Sequence, residues 1–129
     1  MPACRGASVK IPKLDNRAIF DSVLRHSRGY SMGSLWQSLN VDVSTLDISF
    51  KARTELFFLF LHEQMSVGAM RLALDGVFLG GSIDEQLARL KDAWPSDDSG
   101  SEDEMYFWFL AEAPAGVVWI GPDGTENWT

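Results

Sequence analysis

Cysteine is nearly absent: Cys4 is the only one among 129 residues. No disulfide can form within the chain, and one thiol is what a reducing cytosol tolerates. Histidine is scarce, with only His26 and His62. Two histidines and one cysteine cannot build a tetrahedral zinc site without carboxylates from elsewhere. Long apolar runs are missing as well. The most apolar stretch, Leu56 to Leu61 (LFFLFL), falls far short of the ~20 residues that span a bilayer. The opening residues, MPACRGASVKIPK, hold no apolar run of signal-peptide length. The expected location is therefore the cytoplasm. The last absence is local: residues 92–129 contain no Lys or Arg.

What is present is a core. Hydrophobic residues make up 46% and aromatics 12% of the chain, with five Trp, which excludes global disorder. One domain is the expectation at this length. The formal net charge is −7, from 18 acids against 11 bases. An acid surplus argues against direct nucleic-acid binding, which depends on Lys and Arg at the phosphates. The charge is also lopsided. Residues 92–129 carry nine acids, while residues 1–91 carry nine acids and all eleven bases, a net of +2. Residues 1–28 are basic, with six Lys or Arg against Asp15 and Asp21.

Hydrophobic spacing sets the expected elements. Residues 1–13 show no periodicity and read as a loose arm, with a single domain over 14–129. Asp15 caps a helix that carries Ile19, Phe20, Val23 and Leu24 and ends at Gly29. A short helix follows over Met32–Leu39, then the longest over Ser49–Ser66, with Ser44 to Asp47 as a capping box upstream. Met70, Leu72 and Leu74 then alternate with Arg71 and Ala73 up to Asp75-Gly76. That dipeptide between alternating runs signals a hairpin, with Leu74 opposite Val77, Leu72 opposite Leu79, and one shared apolar face. Ser82 to Glu85 forms a capping box for a helix that runs to Ala93, and Pro95 stops it.

Residues 96–104 (SDDSGSEDE) read as an acidic loop. Three further strands are expected at Met105–Leu110, Val117–Ile120 and Thr125–Thr129. The first is ambiguous. Its aromatic density favours a strand, while Ser101 to Glu104 is also a helix-capping pattern. The expected fold class is α+β: a single domain of N-terminal helices packed on a small antiparallel sheet with one inserted helix.

No complete catalytic motif is present in the sequence. His62-Glu63 begins like the zinc-protease helix, but position 66 is Ser. No G-x-S-x-G elbow is present, and no Ser/His/Asp arrangement is marked by spacing. Gly76 to Gly81 lacks the length and lysine of a phosphate loop, and Asp84 and Glu85 stand where phosphate charge would go. The carboxylates of 97–104 match neither a calcium loop nor a rigid glycosidase pair. No catalytic residue, cofactor or metal is expected. An acidic, aromatic-bearing C-terminal third remains. An ordinary solvated surface looks like this too. Read functionally, it is a docking face for a basic protein, with Tyr106, Trp108, Trp119 and Trp128 as anchors among the acids.

Several strings then form an ordered set: Gly76 to Gln86 (GVFLGGSIDEQ), Trp94-Pro95, Pro114 to Gly116, Trp119, Asp123-Gly124 and Trp128-Thr129. Together they resemble the bacterial DUF596 family, over roughly residues 50–129. The resemblance implies no enzymatic activity. It implies a setting beside secreted toxin systems of Gram-negative bacteria, like that of immunity proteins of contact-dependent growth inhibition (CDI). Such a protein binds the toxic C-terminal domain of its strain's own effector, expected here to be a nuclease, and blocks it by occlusion. The expected partner-binding residues, assigned from charge and exposure, are Asp97, Asp98, Glu102, Asp103, Glu104, Asp123, Glu126 and Trp128. Two other readings stand beside this one: a non-catalytic adaptor domain, and a small enzyme using His62 with nearby carboxylates in a concave pocket.

Overall fold

The computed structural model describes residues 15–95 and 102–129. The arm expected at 1–13, and Asp97 and Asp98 of the acidic loop, lie outside the described residues. Four helices follow in order: α1 (Asn16–Ser27), α2 (Met32–Asp42), α3 (Phe50–Ser66) and α4 (Ile83–Ala93). A hairpin of β1 (Met70–Leu74) and β2 (Val77–Phe78) separates α3 from α4. Next come α5 (Glu102–Phe107), a π-helical turn (Trp108–Glu112), and strands β3 (Gly116–Ile120) and β4 (Glu126–Trp128). The sheet is antiparallel, in the order β2-β1-β3-β4, and the fold is a single α+β domain.

The helix starts follow from side-chain oxygens that satisfy otherwise orphaned amides. Asp15 accepts from the Ala18 amide at 3.0 Å. Ser82 and Glu85 form the full reciprocal box, at 3.1 and 2.7 Å. The expected box at Ser44 to Asp47 is a correction. Ser49 caps α3 by accepting from Ala52, while the Ser44 hydroxyl donates to the Val41 carbonyl just beyond α2.

The hairpin forms in the expected register, Leu74 opposite Val77. Asp75 and Gly76 take φ of 53° and 80°, the left-handed pair a two-residue turn requires. The shared apolar face holds only in part. Met70 and Leu72 are buried, but Leu74 and Val77 are 45% and 67% exposed, because the hairpin tip projects past the core.

The larger correction is residues 105–112. The chain is helical there, not extended. Met105 and Trp108 are buried, and Phe109 packs partly buried against the same core. That spacing of three and four residues is helical, and it lets one stripe reach the core while Tyr106 and Phe107 face water. Burial of the stripe outweighs the β preference of aromatic residues.

Trp94, just past α4, joins these elements. Its ring lies 5.2 Å from Trp36 on α2, and 5.7 and 5.3 Å from Phe57 and Phe58 on α3. It lies 5.1 and 5.6 Å from Trp108 and Phe109 of the π turn. Its indole N–H donates to the Thr54 hydroxyl at 3.1 Å. Edge-to-face contacts of this kind add to area burial, and the indole donor needs a partner once enclosed. Replacing Trp94 with Ala should cost about 3–5 kcal/mol, the range for emptying a large aromatic site. Thr54→Val should cost about 1 kcal/mol through the lost acceptor. Urea unfolding of both variants checks the order and size of the two effects.

Candidate partner-binding surface

The acidic segment enters α5, which places the backbone of Glu102, Asp103 and Glu104 in its first turn. The helix then widens. The Ala113 amide donates to the Trp108 carbonyl at 2.8 Å, a five-residue step that a π turn makes. Phe109 sits directly on Gly33 of α2, where an added Cβ would lie 3.4 Å from the Phe109 side chain. The two helical segments are in close contact at Gly33. Their outer rim forms a groove of about 570 Å³ lined by Trp36, Asn40, Val41, Arg53, Met105 and Tyr106, among others. Arg53 donates to the Asn40 side chain at 2.6 Å and lies 5.6 Å over the Phe50 ring.

Two lining side chains are open to water, Val41 at 72% and Tyr106 at 48%, and on the same helical segment as Tyr106, Phe107 and Leu110 are 63% and 65% exposed. Of the expected anchors, Tyr106 is half open to water, with its ring 6.4 Å from that of Phe107. Trp108 and Trp119 do not belong with it, since both are buried, and the Trp119 indole donates to the Tyr30 carbonyl at 2.9 Å. Phe107 and Leu110 were missed because a strand reading assigns their faces wrongly. Helical spacing from Met105 and Trp108 is the signal that would have found them.

Asp123, Glu126 and Trp128 lie on a different element, the β3–β4 turn and the edge strand β4. Each is exposed, and each has a partner within the chain. The Trp128 indole donates to Glu126 at 3.1 Å, and its ring stacks on Phe78 at 5.0 Å. Phe78 and Trp128 belong to opposite edge strands, so their stacking shows how far the sheet curls. The Arg71 guanidinium lies 3.6 Å from the Phe78 ring centroid. In register terms this layer covers Ala73 and Val118, which are buried on the side of the sheet away from the helices. Trp128 is therefore in large part a lid on the sheet. The expected single acidic face is carried by two separate elements, α5 and the β3–β4 edge.

His62 occupies a second groove, about 520 Å³, between α3 and α4. Its Nε2 lies 3.4 Å from Asp84 and its Nδ1 lies 3.3 Å from the Ser66 hydroxyl. The concave setting expected by the enzyme reading is present. The chemistry is open to water, however, with His62 48% and Asp84 87% exposed. Pairs exposed to this degree gain little from Coulomb attraction. Among the described residues, no group of three or more His, Cys, Asp or Glu could hold a metal ion. No helix among them is long and apolar enough to cross a membrane.

Asp123 gives a pH-dependent test. Hydrogen bonds from the Thr125 side chain, and then from its backbone N–H at 3.0 Å, hold the carboxyl below its ordinary value. A depressed folded-state pKa stabilises the fold above the unfolded value, and the gain is lost as pH falls through the folded one. Asp123→Ala should lower Tm at neutral pH. The gap to the parent should close below about pH 4, the ordinary aspartate range. Thermal melts of both chains from neutral to acid pH check it.

The DUF596 family, described as a protein of unknown function, matches residues 65–129, which is 65 of the 129 residues. The match starts later than the 50–129 expected from the motifs. The chain is also similar to a solved structure, an uncharacterised protein conserved in bacteria from Neisseria meningitidis. The two share 25% identity over 88% of each chain, with a TM-score of 0.70. No curated protein matches. The ordered strings from Gly76 to Thr129 thus have a family to belong to, and the chain is a member of DUF596.

Proposed function

We propose that this protein is a cytoplasmic immunity protein of the CDI type. It binds the toxic C-terminal domain of a cognate bacterial secreted effector, a basic nuclease, and neutralises it by occlusion. One observation carries the reading. Tyr106, Phe107 and Leu110 are exposed in a segment, residues 92–129, that holds nine acids and no Lys or Arg. Exposed apolar side chains beside charge of one sign are what a docking face needs. The charge speeds and orients encounter, and the buried rings supply the holding energy. A nuclease offers the complementary surface, since its active site is shaped for a polyanion. The family resemblance supports the setting.

The test is co-expression with the effector domain encoded beside this chain. The expected complex weakens as salt rises. Changing Tyr106, Phe107 and Leu110 together to Ser should lower affinity by roughly a hundredfold or more, as loss of central anchors does. Because these side chains face water, Tm should hardly change. Reversing the charge at Asp97, Asp98, Glu102, Asp103 and Glu104 should mainly slow association. Two variants that bind like the parent would remove this surface from the interface.

A second reading, hydrolysis at the His62 groove, is favoured by the Ser66–His62–Asp84 alignment. A serine-directed fluorophosphonate separates the two. Occlusion expects no labelling of Ser66, whereas labelling abolished by His62→Ala would favour the enzyme.

A further inference from the structure

The α3–α4 groove has an apolar floor of Phe58, Leu59, Leu87 and Ala88 and acids at its rim, Glu55 and Asp84. Leu59 is 53% exposed, an uncovered large apolar side chain in the middle of the longest helix. Among the described residues that line it, Lys91 is the one Lys or Arg, and it lies 5.7 Å over the Phe58 ring. The groove therefore suits an extended segment that alternates apolar and basic side chains.

This chain contains such a segment. Residues 8–14 read SVKIPKL, with Val9 and Ile11 alternating with Lys10, and Lys13 after Pro12. Residues 1–14 hold Arg5, Lys10 and Lys13 and no acid. Pro12 also biases Ile11 toward an extended backbone. The segment leads directly into α1, whose first turn is tied to α3 beside the groove. Arg17, two residues into α1, is bound through both terminal nitrogens to Glu63 at 2.9 and 3.0 Å. Glu63 is the chain neighbour of His62, one of the residues that line the groove. Reach is ample: the groove runs about 10 Å along α3 from Glu55 to His62, while 14 extended residues cover roughly 45 Å.

We infer that residues 8–14 dock in the α3–α4 groove of their own chain. Val9 and Ile11 meet the apolar floor, and Lys10 and Lys13 meet Asp84 and Glu55. The inference is independent of toxin binding, which concerns α2, α5 and the π turn. It gives the basic N-terminal segment a role inside the molecule.

Cys4, the single cysteine, accepts a nitroxide label in the full chain. The amide resonances of Leu59, His62 and Ala88 should lose intensity against the reduced sample. They should recover in the Val9→Ser, Ile11→Ser variant carrying the same label. Equal loss in both chains would mean that tethering alone brings the label near, and would overturn docking. No loss in either would overturn it as well. Loss seen only when label and isotope are on different molecules would assign the groove to the arm of a second copy, contradicting the intramolecular contact.

Discussion

The indole of Trp94 is the contact on which the rest of the arrangement depends. It stands after the last turn of α4 and touches rings from α2, α3 and the π turn. Its hydrogen bond to Thr54 fixes which edge points at α3. Pro95 follows at once, so the chain cannot continue as helix and must turn toward the acidic residues. The segment that re-enters as α5 is then received by the same ring cluster, through Trp108 and Phe109. Both ends of the acidic stretch are thus held against one set of aromatic side chains. Phe109 on Gly33 completes the closure.

The sheet obeys a second constraint. Its helix-facing side buries Met70, Leu72, Val117 and Trp119 in register pairs. Its other side has no helix among the described residues to cover it, so the stack of Arg71, Phe78 and Trp128 serves instead. A cation over an aromatic ring, and a ring on a ring, keep water from Ala73 and Val118 at the cost of leaving Trp128 half open. Removing Trp128 therefore changes the sheet, and its exposure is weak support for a role in binding. The apolar rim on α5 and the π turn has no comparable duty toward a strand beneath it. That difference favours Tyr106, Phe107 and Leu110 over Trp128 for the proposed binding face.

Much of the fold was legible because local chemistry decided it. Asp15 and Ser82 cap helices because their oxygens reach amides three residues on, and Asp75-Gly76 turns because both residues accept positive φ. Other features needed partners distant in sequence. Met105 to Glu112 has strand-like composition beside a helix-capping pattern, and burial of Met105 and Trp108 against the core goes with the helix. Ser44 and Ser49 are both candidate caps, and which one serves depends on where α2 ends. The candidate site was half legible. Its charge could be read from residues 92–129, but its apolar members could not be assigned before the period was known. His62 meets Asp84 only because α4 packs on α3, and no spacing within α3 announces that contact.

The central claim is that the partner is held by the surface of α2, α5 and the π turn. Amide hydrogen exchange measured on the chain alone, and again with the effector's toxic domain bound, tests it most directly. The account predicts new protection in residues 105–112 and along α2, with little change at β4. Protection confined to the α3–α4 groove or to Glu126–Trp128, with residues 105–112 exchanging as in the free chain, would contradict it.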